Sequence, residues 1–192
     1  MGKIFYIMGK SASGKDTIYK ELIEKMPQFH SIVPYTTRPM REGEKDGVEY
    51  FFVDQERFDE MMDEEKIIEF RSYNTKCGIW TYFTADDGQV DLENADYLGI
   101  GTLESYVKMR EYYGEEALCP IYIEVEDGER LARALNRERS QKTPRYEEMC
   151  RRFLADQEDF SEEKIAAAGI KKRFQNIDLE KCVEEIAQYI KG

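Results

Sequence analysis

Residues 9–15 read Gly-Lys-Ser-Ala-Ser-Gly-Lys and match GxxxxGK, the pattern of loops that bind nucleotide phosphates. The glycines of such a loop allow a tight curl that turns several N–H groups inward, and the following helix adds the positive end of its dipole. The alternative, a Gly/Ser turn that happens to contain a lysine, is disfavoured because the apolar run Ile4–Met8 precedes the loop and an amphipathic pattern follows it. We therefore predict that ATP is bound by Gly9, Ser11, Ser13, Gly14, Lys15, Asp16 and Thr17, with Lys15 reaching the β- and γ-phosphates as a catalytic residue.

The residue after the loop lysine departs from the usual pattern. A Ser or Thr that binds Mg²⁺ is common there, whereas this chain has Asp16 followed by Thr17. A carboxylate can hold Mg²⁺ directly or through water, so we expect Asp16 to be the metal ligand, with Thr17 as the competing candidate. A third interpretation stays open, in which Asp16 only favours the start of the helix through the dipole.

A second stretch, residues 34–52, reads PYTTRPMREGEKDGVEYFF. Arginine guanidiniums hold phosphate in bidentate geometry and a phenol adds a donor, although a solvated basic loop is the plainer alternative. The stretch contains every fixed position of TTRxxRxGExxGxxYxF, and it follows a phosphate loop. With these two motifs in this order the chain resembles the guanylate kinase family, down to Phe174-Gln175-Asn176 near its end.

The resemblance implies a nucleoside-monophosphate kinase that uses Mg²⁺ to convert ATP and GMP into ADP and GDP. It implies that Arg38, Arg41 and Tyr50 bind the acceptor phosphate, with Arg38 also catalytic. It further implies that Glu69 reads guanine, since a carboxylate accepts from both N1–H and the exocyclic amine. The alternative for Glu69 is an ordinary surface carboxylate on a strand.

Several positions of the family pattern are not matched. Pro34 replaces a serine near the base, and Lys76-Cys77-Gly78-Ile79 replaces a stretch with a phosphate-binding tyrosine and a hydroxyl. Gly101 replaces the aspartate nearest the acceptor and the metal. A site that loses hydrogen-bonding partners discriminates less sharply, so strict GMP specificity is less well supported than family membership.

Charge is distributed unevenly along the chain. The 192 residues carry 28 Lys+Arg against 40 Asp+Glu, a net charge of −12, which argues against binding of nucleic-acid polymers. Residues 130–152 nevertheless hold eight basic against three acidic residues, a net +5. By spacing, Arg137 and Arg152 resemble the family's lid and post-lid arginines, and we predict that they are catalytic. The polar break 140–145 is a plausible closing loop.

The remaining pattern alternates β and α elements and predicts an α/β fold with a P-loop parallel sheet flanked by helices. The strand-rich stretch between residues 34 and 84 interrupts this alternation, and it predicts a small mixed β insertion that binds the acceptor nucleotide. The expected division is a core of 1–33, 85–136 and 151–192, an acceptor-binding insertion of 34–84, and an arginine-rich lid of 137–150. We also expect Asp127 to cap a helix, residues 34–47 to form a loop, and one long helix to follow Tyr146.

The sequence thus predicts a cytoplasmic enzyme whose partners are the nucleotides ATP and GMP, with no nucleic-acid polymer and no membrane, and it leaves the oligomeric state open. The cysteines are widely spaced, which fits a reducing compartment, and the short apolar N-terminus predicts neither a leader nor a membrane span. Two alternatives stay open. The same fold could act on another nucleotide, or it could be a non-catalytic guanylate-kinase-like interaction module.

Overall fold

The computed structural model describes residues 1–75 and 78–192, so the predicted departures at Lys76 and Cys77 lie outside the described residues. The strands are β1 (Ile4–Met8), β2 (His30–Ser31), β3 (Tyr35–Thr36), β4 (Phe51–Phe52), β5 (Ile67–Thr75), β6 (Gly78–Ala85), β7 (Tyr97–Gly101), β8 (Leu118–Glu124) and β9 (Arg173–Gln175). The helices are α1 (Lys15–Lys25), α2 (Gln55–Asp63), α3 (Leu103–Tyr113), α4 (Asp127–Arg139), α5 (Tyr146–Asp159), α6 (Glu162–Ala167) and α7 (Leu179–Lys191).

A parallel sheet in the order β2-β7-β1-β8-β9 forms the core and confirms the predicted α/β class. All five residues of the central strand β1 are buried, because helices cover both faces of the sheet. On one face Tyr6 packs with residues of α3, and on the other Ile7 packs with residues of α1 and α7. The central position of β1 brings the loop that follows it to the carboxyl edge of the sheet, where ligands bind in open α/β folds.

A second, mixed sheet in the order β4-β3-β6-β5 is built from residues 35–85. Side chains alternate across it, and the face that carries Phe83 packs on Phe58 and Met61 of α2. Strand β3 lies within the stretch predicted to be a loop, and that prediction is wrong for Tyr35 and Thr36. A strand of two residues has too few positions to show a period of two, and its pairing with β6 comes from distant residues.

Two helix boundaries also differ from the sequence prediction. Helix α4 is capped by Glu126, whose carboxylate accepts from the Glu129 N–H at 2.9 Å, while Asp127 is its first helical residue. Asp127 was wrongly predicted as the cap because its carboxylate is instead bound by the Arg130 guanidinium. The helix after residue 146 is broken by Ser161, which caps α6. Within the described residues, no helix has both the length and the apolar composition needed to cross a bilayer.

Candidate active site

The loop between β1 and α1 has the backbone geometry of an anion cradle. Ala12 and Gly14 adopt left-handed conformations with φ of 62° and 86°. Gly14 is the N-cap of α1 without a side-chain cap, which leaves N–H groups of the first turn for a ligand. Gly9 is required by space, since a Cβ there would lie 2.6 Å from the Ile123 carbonyl oxygen.

Two further contacts hold the loop in shape. Ser13 is buried, and its N–H donates to the Lys10 carbonyl at 3.2 Å, which closes a turn within the loop. The Ser13 carbonyl accepts from the Asn176 side-chain amide at 2.8 Å. Asn176 is itself buried and follows β9, so the end of the outermost strand supports the loop.

The side chains predicted to hold phosphate and metal lie at the start of α1. Lys15 Nζ is 3.6 Å from Asp16 Oδ2, and the Asp16 side chain is 80% exposed. Thr17 is exposed as well. In the described part of the chain, no group of three or more His, Cys, Asp or Glu residues is arranged to enclose a metal ion. This arrangement fits Mg²⁺, which is commonly bound through one or two carboxylates together with substrate phosphates and water.

A buried ion-pair network clamps the same loop from below, and sequence reasoning did not find it. Arg130 is 1% exposed, and its guanidinium donates to the Ser11 carbonyl at 2.8 Å, to Asp156 at 3.2 Å and to Asp127 at 2.7 Å. The Ser11 N–H in turn donates to Asp156 at 2.8 Å. Both backbone groups of Ser11 are therefore fixed by one charge pair. The available signal was the spacing of three residues between Asp127 and Arg130 on one helix.

The lid arginines line a cleft between α4 and α5 that opens beside the loop. Arg137, Arg152 and Ser11 all line it. Arg152 donates to the Ser11 hydroxyl at 3.2 Å. The structure therefore places the predicted lid arginine, Arg137, and the post-lid arginine, Arg152, in one cleft with Ser11 of the phosphate loop, on helices at either side of the 140–145 break.

The acceptor residues collect on the face of the second sheet that points away from α2. The Arg38 guanidinium lies 5.1 Å from the centre of the Tyr50 ring, and Tyr50 packs on Tyr82 of β6 at 5.7 Å. Tyr82 is paired with Arg71, and the neighbouring pair on this face is Glu69 with Thr84. Burial raises the pKa of Tyr50, with the Asp16 carboxylate among the lesser causes. The predicted acceptor residues Arg38, Tyr50 and Glu69 therefore lie along one face of the second sheet.

The Arg38 guanidinium is positioned by an ion pair with the Glu44 carboxylate. Arg38 is 4% exposed and forms a bidentate pair with Glu44 at 2.8 and 2.5 Å. This bond lowers the pKa of Glu44 to about 2, so the pair is fully ionised near neutral pH. Arg41 contributes only its backbone to this pair, by an N–H bond to Glu44 at 2.7 Å, and its side chain is exposed. An acceptor phosphate would share Arg38 with Glu44 and would find Arg41 accessible.

Glu69 is 9% exposed, which contradicts the alternative of a surface carboxylate. Its Oε1 accepts from the Thr84 hydroxyl at 2.9 Å, and its Oε2 lies 3.8 Å from Arg71 Nε. Burial raises the pKa of Glu69, and the Arg71 guanidinium partly opposes that shift. Glu69 is therefore a desolvated group at the far end of the acceptor face.

Three departures in the acceptor region lie among the described residues, at Pro34, Ile79 and Gly101. Ile79 is 61% exposed, and the Pro34 carbonyl accepts from the Phe51 N–H at 2.9 Å within the sheet. Gly101 is different. A Cβ there would collide with the Tyr6 hydroxyl, and a Cβ at Gly99 would lie 2.7 Å from the Tyr6 ring. The phenol of Tyr6 thus occupies the space that an aspartate at position 101 would need.

Because the Tyr6 phenol fills the space next to Gly101, we expect substitutions at these two positions to affect the free energy of unfolding non-additively. We expect Gly101→Ala to destabilise the protein by roughly 1–3 kcal/mol, because the new methyl group overlaps the Tyr6 hydroxyl. In a Tyr6→Leu background the same substitution should cost less than about 0.5 kcal/mol, since the hydroxyl is gone. Urea unfolding of the four proteins measures this, and an equal cost in both backgrounds would show that Tyr6 does not fill the site.

The guanylate kinase family model matches residues 1–79. A guanylate kinase of Legionella pneumophila (strain Lens) is 44% identical over 68 residues, which are 35% of this chain and 32% of the relative. One from Helicobacter hepaticus is 51% identical over 57 residues, 30% of this chain and 28% of the relative. The matched part thus spans about a third of the length of these curated relatives.

The structural comparison extends over the whole chain. A guanylate kinase from Anaplasma phagocytophilum superimposes with a TM-score of 0.63 at 22% sequence identity, and the match covers 99% of this chain and 85% of that one. At this identity the likeness establishes the fold. The family model covers the phosphate loop and the acceptor segment, and its match ends at residue 79.

Proposed function

We propose that the protein phosphorylates a nucleoside monophosphate at the expense of ATP, because the guanylate kinase family model matches residues 1–79 and the whole chain has the fold of a guanylate kinase. The acceptor proposed is GMP, with GDP and ADP as products. The observation that carries the proposal is the meeting of donor-loop and arginine side chains at the phosphate loop. Lys15 begins α1 directly after the Gly14 N-cap, and Arg152 of α5 donates to the Ser11 hydroxyl.

Phosphoryl transfer requires little covalent chemistry from a protein, and positioning with charge stabilisation does most of the work. Here the loop N–H groups and Lys15 hold the donor phosphates, while Arg38, Arg41 and Tyr50 hold the acceptor phosphate opposite them. The bond from phosphorus to the acceptor oxygen forms as the bond to the leaving ADP oxygen breaks.

Charge that spreads over the transferred group meets two cations, Arg137 and Arg152, from the cleft between α4 and α5. Asp16 and Thr17 are the residues that would hold Mg²⁺, which when bound neutralises charge on the donor phosphates. Closure of the 140–145 break over the cleft would exclude water as a competing acceptor.

The proposed division of labour follows the predicted domain boundaries. The core of 1–33, 85–136 and 151–192 carries the donor loop, the insertion of 34–84 carries the acceptor face, and the lid of 137–150 closes over both. A protein that uses ATP and a nucleoside monophosphate would act in the cytoplasm, where both are found. The buried network around Arg130 argues against a non-catalytic module, since a docking surface does not require a clamped phosphate loop.

A panel of acceptors tests the proposal. ADP release is measured in a coupled assay with ATP, Mg²⁺ and GMP, dGMP, AMP, CMP or UMP. We expect turnover with GMP above the other ribonucleotides, since Glu69 provides the acceptor atoms that guanine needs. A preference for another base would support the alternative acceptor, and no turnover with any acceptor would support the interaction module.

A further inference from the structure

Arg71 is a partly buried cation at the base end of the acceptor face, with its side chain 20% exposed, and the proposed mechanism does not use it. It lies two residues from Glu69 on β5, so the two side chains project to the same side of the sheet. Its Nη1 donates to the Thr102 hydroxyl at 2.6 Å, and Thr102 is the N-cap of α3 directly after β7. The Arg71 side chain therefore spans from the second sheet to the carboxyl edge of the core sheet.

The guanidinium of Arg71 is incompletely satisfied. Its Nε is buried, and among the described residues it has no hydrogen-bond partner. The Glu69 Oε2 lies 3.8 Å away, which is beyond hydrogen-bonding distance. A buried charged donor left unpaired is costly, so this N–H calls for an acceptor atom that the folded chain itself does not supply.

The Glu69 carboxylate supplies a hydrogen-bond acceptor next to the Arg71 donor. One carboxylate oxygen accepts from the Thr84 hydroxyl, and the other faces Arg71. The pair thus offers a ligand one acceptor next to one donor. The phenol of Tyr6 fills the neighbouring space at Gly101, so no second carboxylate lies there to receive another donor.

A 6-oxopurine presents the matching edge, with the N1–H donor beside the O6 acceptor. Adenine presents its acceptor and donor in the opposite order, so its amine would face the guanidinium. The acceptor phosphate is anchored at Arg38 and Tyr50 in the proposed function, which prevents the base from sliding to exchange the two positions. Guanidinium recognition of O6 is the commonest specific contact to guanine in nucleic-acid complexes as well.

We propose that Arg71 reads O6 beside Glu69 reading N1–H, and that the acceptors are 6-oxopurine monophosphates whether or not they carry a 2-amino group. This rests on the proposed function and sharpens it. Glu69 alone would require two donors, as in guanine. Glu69 with Arg71 accepts hypoxanthine equally, so IMP joins GMP as a substrate.

Steady-state kinetics with GMP, IMP and AMP test the assignment in the wild type and in Arg71→Met. The wild type should use GMP and IMP with kcat/KM values within about tenfold of each other, and AMP at least about 100-fold less well. Arg71→Met should lower kcat/KM for both oxopurines by roughly 10–100-fold, mainly through KM, with little change for AMP. The matched control is Arg57→Met, which removes an exposed arginine of α2 in the same insertion.

The ratio of GMP to AMP separates reading of the base from a structural role. If Arg71→Met lowers kcat/KM equally for all three substrates, Arg71 only stabilises the structure through Thr102, and the proposal is wrong. A wild type that uses GMP but rejects IMP as strongly as AMP overturns it too.

Equilibrium dialysis of the same three nucleotides without ATP keeps the two proposals distinguishable. Oxopurine-selective binding that Arg71→Met abolishes, without any ADP release, would contradict the kinase function and uphold the role of Arg71. Turnover of GMP together with an unchanged ratio of kcat/KM for GMP to that for AMP in Arg71→Met would uphold the kinase function and contradict the role of Arg71. Failure of all three nucleotides to bind would overturn both.

Discussion

Replacing Lys15 with alanine is expected to lower the rate of phosphoryl transfer by at least about 10²–10³-fold, the range for loss of a single preorganised donor to developing charge. Lys15 follows the N-cap of α1, and its amine lies near an exposed carboxylate. Removing it therefore strands no buried charge, and we expect the urea midpoint to stay close to the wild-type value. The coupled ADP assay with saturating ATP and GMP measures the change in kcat.

The matched control for this prediction is Lys20→Ala, which removes an exposed lysine from the middle of the same helix. It carries the same change in net charge and should retain the wild-type rate within about twofold, since surface charges are worth little. A Lys15→Ala protein that turns over at the wild-type rate would show that the loop does not hold the donor phosphates.

Replacing Arg130 with methionine is expected to destabilise the protein by about 3–5 kcal/mol, the range for breaking a buried ion pair from one side. The substitution leaves Asp156 without its cation and removes a donor from the Ser11 carbonyl. Because Ser11 lies in the phosphate loop, we also expect KM for ATP to rise. Urea unfolding gives the free energy, and initial rates give the KM.

Arg151→Met is the control for the loss of an arginine, since Arg151 is exposed and pairs with Glu148 three residues away on α5. It should cost less than about 1 kcal/mol, as exposed pairs do. If Arg130→Met were no more destabilising than Arg151→Met, the buried network would not be what holds the loop.

The sequence predicted those parts of the site that depend on residues close together in the chain. The phosphate loop is a run of seven residues between a strand and a helix, and its chemistry follows from glycine positions and one lysine. The parallel sheet follows from the alternation of β and α patterns, and its central strand β1 is an apolar run buried on both faces. The acceptor arginines and Glu69 came from a resemblance, and their roles stay predictions.

The supports of the site depend on contacts between distant residues. Arg130 bonds to Ser11 across 119 positions, and Asn176 to Ser13 across 163. The Tyr6 phenol on β1 fills the space next to Gly101 on the neighbouring strand β7, and a periodic sequence pattern does not predict such a contact. In the sequence, Gly101 shows only that an expected aspartate is missing. The structure shows that a phenol from the adjacent strand has taken its place.

The most direct test of the central claim follows the γ-phosphate itself. The protein is incubated with Mg²⁺, GMP and ATP labelled in its γ-phosphate, and the labelled products are separated and counted. We expect the label to appear in GDP in a one-to-one ratio with the ADP formed. Label recovered as inorganic phosphate, or left in ATP while GMP is unchanged, would contradict it.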